Sequence, residues 1–436
     1  MSTGRPMRAT AVLLASLTAV FGVALASPAA AQPSPTTSPS DPAEVAAGWL
    51  AGQLVDGNHF EVDLGGGQVF ADHGLTADAV LAFDAADVAQ DSAVAATTWL
   101  GLDDNVSAYA GNGSTDSYVG SLAKLALVAT SQGANPHSFG EGKVDLIDRL
   151  AARQNADTGR FSDLSSFPPP NDFSNGITQS LAIIALVRVP GRDTAAEKAI
   201  DLDKAVDFLV DSRCDDGGFP LQFDAQPCTS EADVTAFAVQ ALLAADRDDE
   251  AAGALDYLEA VQDETTGGFG GSGPTAGLNA NSTGLAAQAL RVGGRDAAAD
   301  AAVKYLLGLQ VGCAGPAEQR GGVAYDTVNG FEASTAVRAT AQALYGLTGV
   351  GLLTVDNEGD AAGAPTLTCT PPTTTTPPAP APQPPAQGSS GGSDLPATGV
   401  QPAAGIGLGV LLVLAGAAAL LVSRRRPGLS SGGERP

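Results

Sequence analysis

Basic residues are scarce in this 436-residue chain: 22 Lys and Arg stand against 48 Asp and Glu, and the formal net charge is −26. So anionic a chain has no general electrostatic hold on nucleic acid or anionic surfaces, and neither is expected as a partner of its folded part. Histidine is scarcer still, with only His59, His73 and His137, all in the first third. No metal site and no cofactor is therefore expected. Aromatic residues make up 5% of the chain, too few to shape a deep apolar chamber. Apolar–polar alternation with a period of two is almost absent, which argues against a strand-built core and for an all-α fold. There are four cysteines, Cys214, Cys228, Cys313 and Cys369. In an exported chain they read as two disulfides, and of the three possible connectivities Cys214–Cys228 with Cys313–Cys369 is favoured, the first closing a short loop.

The two ends fall outside any fold. Met1–Ala31 carries Arg5 and Arg8, an apolar run, and then Ala29-Ala30-Ala31 before a polar stretch. That is the layout of a secretory signal cleaved after Ala31, followed by a short linker, Gln32–Ser40. The folded part is expected over Asp41–Asp360. Ala361–Asp394 is rich in Pro, Thr, Gly and Ser and cannot bury a core, so it reads as an extended spacer. Ala403–Val422 has no charge, is long enough as a helix to span a hydrocarbon core, and is followed by an Arg-rich tail, Ser423–Pro436, with Arg424–Arg426 at its start. Just before it, Leu395-Pro396-Ala397-Thr398-Gly399 resembles the L-P-x-T-G sorting signal of Gram-positive surface proteins. The resemblance implies that a sortase cleaves between Thr398 and Gly399 and joins Thr398 to peptidoglycan. The apolar helix would then hold the chain in the membrane only until cleavage.

Between the ends the sequence repeats about every fifty residues. One landmark is an apolar helix ending in Ala-Leu: "LAKLALVAT", "SLAIIALVRV", "FAVQALLAA", "LAAQALRVG" and "ATAQALYGL". The other is a Gly-rich turn leading to a large residue: "QNADTGRF", "SRCDDGGF", "QDETTGGF" and "QRGGVAY". The Ala-Leu helices are apolar nearly all round, as a helix buried on both sides must be. They are expected to start near Leu75, Thr115, Asp172, Thr229, Asn279 and Glu332, with Asp233, Asn281 and Thr335 as capping residues. Amphipathic surface helices are expected over Pro42–Leu54, Gln90–Leu102, Gly142–Gln154, Ala195–Ser212, Asp248–Gln262 and Asp296–Gln310. Six inner and six outer helices in alternation predict a closed α/α6 toroid; an open superhelical stack is the alternative.

On "SRCDDGGF" and "QDETTGGF", each leading into an "xxQAL" helix, the chain resembles the prenyltransferase/squalene-oxidase repeat superfamily. That superfamily includes protein prenyltransferase β-subunits, terpenoid cyclases, complement thioester domains and vitamin B12 carriers. The resemblance implies the toroid, and it does not carry the activities over. No His accompanies Asp and Cys at the late inner helices, where prenyltransferases hold zinc. "DRDD" at Asp246–Asp249 has the letters of the cyclase acid motif but sits between an inner and an outer helix, where acids favour a helix start. "GCAGPAEQ" sets Gln319 six residues after Cys313, whereas a thioester needs three.

In such toroids ligands enter where loops lead into the inner helices. The candidate funnel rim is Asp172, Asn175, Asp224, Asp233, Asn279, Asn281, Asp326 and Glu332, a polar, acidic set suited to sugars and other polar ligands. The expected function is therefore display at the cell wall of a toroid that binds a small molecule, glycan or protein without catalysis. An extracellular enzyme on the same barrel is the alternative, glycan-active or cyclase-like, with Asp172, Asp233 and Glu332 the acids that could cleave a glycosidic bond. No catalytic residue is assigned. The expected partners are sortase, peptidoglycan and a surface ligand not identified by the sequence. Replacing both Thr398 and Gly399 by Ala should move the protein from the wall fraction to the membrane fraction. Detergent extraction of intact wild-type chains still carrying Arg424–Arg426 would contradict the sorting reading.

Overall fold

The computed structural model describes residues 41–369, apart from Gly66, 168–171 and 190–193. The expected signal segment, sorting motif, apolar helix and Arg-rich tail lie outside the described residues. No described helix is long and apolar enough to cross a membrane. In chain order the helices are α1 (Pro42–Ala51), α2 (His73–Ala85), α3 (Gln90–Leu100), α4 (Asp103–Ala110), α5 (Val119–Ser131), α6 (Leu146–Ala151), α7 (Gly176–Arg188), α8 (Ala195–Lys198), α9 (Leu202–Asp211), α10 (Ala232–Ala244), α11 (Asp248–Val261), α12 (Ala280–Val292), α13 (Asp296–Leu309) and α14 (Ala333–Thr348). Two short antiparallel pairs accompany them: β1 (Glu61–Asp63) with β2 (Val69–Ala71), and β3 (Phe269–Gly270) with β4 (Leu278–Asn279).

Helices α2, α5, α7, α10, α12 and α14 form an inner ring in which each packs on the next and α14 returns to pack on α2. Helices α1, α3, α6, α9, α11 and α13 lie outside, each packed chiefly against one inner helix. The ring is closed, as six alternating pairs predict. Its core is built of Ala, Leu and Val from the inner helices, with Phe83, Phe161, Phe219 and Phe269 fully buried. Two expectations need correcting. The outer segment 195–212 is two helices, because the Asp201 carboxylate accepts the Lys204 amide and starts a new helix. Asp233, Asn281 and Thr335 lie inside the first turns of their helices, while Asn279 caps α12 and Glu231 and Glu332 precede α10 and α14 without capping through their side chains.

The Gly-rich turns explain the closure. Gly159, Gly217, Gly267 and Gly321 all have φ between 80° and 95°. A Cβ on any of them would come within 3.0 Å of a backbone oxygen on the next outer helix: Lys204 of α9, Gly253 of α11, Ala301 of α13 and Val45 of α1. Only glycine meets both conditions, the left-handed backbone and the close approach. The last of these contacts joins the end of the repeat to its beginning. Gln310 repeats the link by donating to the Pro42 carbonyl at 2.8 Å, and Trp49 Nε1 donates to Glu318 O at 2.9 Å.

After each glycine turn the next buried residue is fastened to the following inner helix. The amides of Phe60, Phe219, Phe269 and Val323 donate to the hydroxyls of Thr76, Thr235, Thr283 and Thr340 at 2.9–3.0 Å. At α7 the same amide, that of Phe161, donates to Gln179 Oε1 at 2.9 Å. Helix α5 is entered differently: Ser117 and Leu164 exchange backbone hydrogen bonds, and the Asp163 carboxylate accepts the Val119 amide at 2.7 Å.

The chain after α14 seals the far end of the ring. Gln240 Oε1 accepts the Leu352 amide at 2.9 Å, and Gln240 Nε2 donates to Gln288 Oε1 at 2.9 Å. Gln288 donates in turn to Val350 O at 2.5 Å, and Arg188 donates to the carbonyls of Leu352 and Val355. Two of the Gln-Ala-Leu glutamines thus hold a floor whose Leu352 and Val355 are buried in the core. The chain then passes α3, where Ala361–Gly363 accept the amides of Ala89, Gln90 and Asp91, and reaches Cys369. The first nine residues of the expected spacer therefore belong to the folded part. Both disulfides have the favoured pairing, Cys214–Cys228 and Cys313–Cys369, each with Cα atoms 5.6 Å apart.

Replacing Thr283 by Val keeps the shape but leaves the buried Phe269 amide without an acceptor. It should cost about 1–3 kcal/mol in chemical denaturation. Gly267→Ala should cost more than Gly273→Ala, because both glycines have positive φ and only Gly267 faces a neighbouring backbone. Equal losses at the two glycines would contradict the packing account.

Candidate functional site

The face of the ring opposite the floor is formed by the starts of the inner helices. Most of the expected rim residues lie there with their side chains committed to the scaffold. Asn175 caps α7, accepting the amides of Ile177 and Thr178, while Thr178 returns the bond to the Asn175 amide. Asn279 is buried, caps α12 through Ser282, and donates to Thr275 O and Gly277 O. Asp172 accepts the amides of Asp163 and Ser174 and pairs with Arg160 at 3.1 Å. Asp326 folds its own turn by accepting the amides of Val328 and Asn329. Glu332 and Asp224 are exposed, Asp224 standing 3.7 Å from Arg160. The structure does not gather Asp172, Asp233 and Glu332 into a hydrolytic set by any hydrogen bond or ion pair among the described contacts.

Asp233 and Asn281 differ from the rest. They occupy the second position of adjacent inner helices, α10 and α12. Each has a buried Oδ1 without a hydrogen-bond partner. Asn279 Nδ2 donates to Ser282 Oγ at 3.2 Å. Burial pushes the Asp233 carboxyl up to about 6, against the lowering influence of the nearby Ser282 hydroxyl and with Glu231 adding to the rise. Tyr325 lies beside this pair: its carbonyl accepts the Ala280 amide at 2.7 Å, and burial raises its phenol, with Asp326 and Asp233 adding to the effect. The cluster is rich in acceptors and poor in cations.

On the opposite wall, between α14, α2 and α5, lies an ion network missed in the sequence. Lys124 pairs with Asp78 at 2.6 Å, and Arg338 pairs with Asp72 at 2.5 Å while reaching to 4.0 Å from Asp78. Tyr345 on α14 donates to Asp78 O at 2.9 Å. Burial works against the Lys124 ammonium, but the Asp78 carboxylate outweighs it and holds the group above its ordinary value. Burial raises the Tyr109 phenol beside it. His73, stacked on Tyr109 at 5.8 Å and tilted against Trp99 at 4.8 Å, is lowered by burial. One signal was available: Asp78, Lys124 and Arg338 each interrupt an otherwise apolar part of an inner helix, and such a charge needs a buried partner.

Two concavities among the described residues, of about 260 and 540 Å³, lie on the outer wall. The first is at α4 and α6, the second at the Cys214–Gly217 turn and α11. Neither is lined by the ring's interior. Of the two motifs weighed in the sequence, Asp248 and Asp249 fill the first turn of outer helix α11, and Cys313 is in a disulfide.

No protein-family model matches the chain, and no curated protein matches it. Solved structures do. The type II terpene cyclase MstE from Scytonema is similar with a TM-score of 0.48 at 13% identity, over 70% of this chain and 96% of that one. Unsaturated glucuronyl hydrolase from Bacillus sp. GL1 is similar with a TM-score of 0.47 at 12% identity, over 70% and 94%. A GH76 α-mannanase from Bacteroides thetaiotaomicron is similar with a TM-score of 0.46 at 13% identity, over 70% and 93%.

The raised carboxyls set a pH dependence. Burial lifts Asp84, Asp163 and Asp233 from 3.8 to about 6 and Asp360 to about 7, the last also through Asp84, Asp87 and Asp356. Between about pH 4 and 7 the folded chain therefore binds more protons than the unfolded chain, and stability falls as pH rises through that window. Asp116, Asp172 and Asp263 are lowered, so the stability they add is lost only below about pH 4. Tm should fall from pH 5 to pH 8, and Asp84→Asn with Asp360→Asn should flatten the slope. A Tm that rises over that interval would contradict these assignments.

Proposed function

We propose that the chain is exported, joined to the cell wall through Thr398, and displays the closed ring as a head that binds a neutral, hydroxyl-rich ligand such as a glycan. The location rests on the sorting-signal layout of the sequence and is consistent with two closed disulfides. The ligand class rests on one observation: the paired buried acceptors of Asp233 and Asn281 at the ring's open face. A buried acceptor without a donor costs free energy, and a ligand hydroxyl supplies the donor. The cations near the mouth are engaged in ion pairs, so they offer little to an anionic ligand.

Binding without turnover is favoured over catalysis. Proton transfer at neutral pH needs groups poised near pH 7. Tyr109 and Lys124, the tyrosine and amine that converge on Asp78, are both shifted upward, away from that range. The enzyme reading retains some support in the Asp163 and Asp233 carboxyls, both near 6 at the starts of inner helices.

Calorimetry against a panel of neutral oligosaccharides tests the proposal. At least one should bind wild type, and Asn281→Ala and Asp233→Ala should each weaken it about tenfold, the effect of losing roughly one hydrogen bond. No binding across the panel, or equal binding by the variants, would contradict the assignment. Hydrolysis of the bound sugar would reject the non-catalytic reading.

A further inference from the structure

Outside the ring, three side chains from three separate elements converge. His137 stands in the 3-10 turn Pro136–Ser138 after α5, Asp145 caps α6, and Glu197 belongs to α8. His137 Nδ1 is 2.9 Å from Glu197 Oε1 and 3.4 Å from Asp145 Oδ2, and all three atoms lie within 4.8 Å of one another. We infer that these three residues form a binding site for a divalent transition-metal ion, which would fasten α8 to the α5–α6 corner of the toroid.

Three features carry this assignment. The first is spacing. Metal–ligand bonds of about 2.0–2.2 Å set neighbouring donors about 3.0 Å apart in an octahedron and about 3.4 Å in a tetrahedron, close to the 2.9 and 3.4 Å from Nδ1 to the two carboxylates.

The second is orientation. Asp145 Oδ1 accepts the Asp148 amide at 2.8 Å, and Glu197 Oε2 accepts the Thr194 amide at 2.9 Å. Each carboxylate is thus held by one oxygen while the other faces the imidazole, the kind of support that orients metal ligands. Thr194 is itself fixed, its hydroxyl donating to Asp148 Oδ1 at 2.7 Å.

The third is proton bookkeeping. The ring nitrogen Nδ1 carries at most one hydrogen, and its hydrogen bond runs to Asp145 Oδ2 at 3.4 Å, although Glu197 Oε1 stands closer at 2.9 Å. One hydrogen does not serve two carboxylates at once, whereas a cation binds both together with the imidazole lone pair. The Glu197 side chain is 0% exposed and that of His137 29%, so the site is anchored inside and open to water on one side. One imidazole with two carboxylates suits ions such as Zn²⁺ and Mn²⁺, and among divalent ions Zn²⁺ should bind the tighter of these two.

Full-length protein stripped with EDTA and titrated with Zn²⁺ alone should bind one equivalent by calorimetry, with a rise in Tm. His137→Ala should weaken that binding about 100-fold and remove the rise. Asp145→Asn keeps a good helix cap while removing a charged ligand, so it should weaken binding at least about tenfold in a chain that still folds. Replacing His59 and His73 by Ala should leave the stoichiometry unchanged. The inference is overturned if wild type binds no Zn²⁺, or if folded His137→Ala and Asp145→Asn bind it as wild type does.

Discussion

A backbone amide donated to a hydroxyl on the neighbouring inner helix is the bond on which this fold depends. Each turn from an outer to an inner helix brings a buried residue's N–H into a place that water does not reach. An unmade bond there would cost about as much as a sizeable share of a domain's whole stability. Thr76, Thr235, Thr283 and Thr340 meet that demand with a hydroxyl, and Gln179 with an amide oxygen. The threonines of α2, α10 and α12 also donate to the carbonyl four residues back, so each is satisfied on both sides. The glycines just before bring the turn close enough to the next outer helix for the bond to form. Because the final glycine turn rests on α1, the repeat closes on itself.

Closure divides the polar groups between two faces. At the floor, glutamines and Arg188 bind the backbone of the segment that follows α14, and the acids Asp84 and Asp360 are raised by burial, Asp360 also by Asp84, Asp87 and Asp356. At the mouth, the ion network on α2, α5 and α14 neutralises itself, and the acceptor pair on α10 and α12 does not. The asymmetry follows from the small, apolar inner helices, in which any charge must find its opposite or be shifted toward its neutral form.

Much of the architecture was legible in the sequence because it rests on local signals. Apolar helices ending in Ala-Leu and glycine turns ending in a large residue gave six inner and six outer helices, and the cysteine pairing followed from position. The capping residues were misplaced by two or more positions, since Asp233 and Asn281 sit one step inside α10 and α12. The break between α8 and α9 was hidden in a continuous amphipathic pattern and is made by one carboxylate, that of Asp201. The ion network escaped because Asp78, Lys124 and Arg338 are far apart in sequence, and the pairing of a lone charge is a tertiary fact. The floor escaped for a similar reason: residues 350–360 carry no local signal of what they cover, and only the ring shows what Gln240 and Gln288 are for. Among the rim residues, the sequence named Asp233 and Asn281 but could not distinguish them from Asn175 and Asn279, whose side chains are used up in capping.

Hydrogen exchange tests the dependence of the ring on its turn amides most directly. If the hydroxyl-bonded turns hold the ring together, the amides of Phe60, Phe219, Phe269 and Val323 should exchange only through global opening, in the same slowest class as the centres of the inner helices. Exchange of these amides at the faster rate of the surrounding loops, while the inner helices stay protected, would contradict the account.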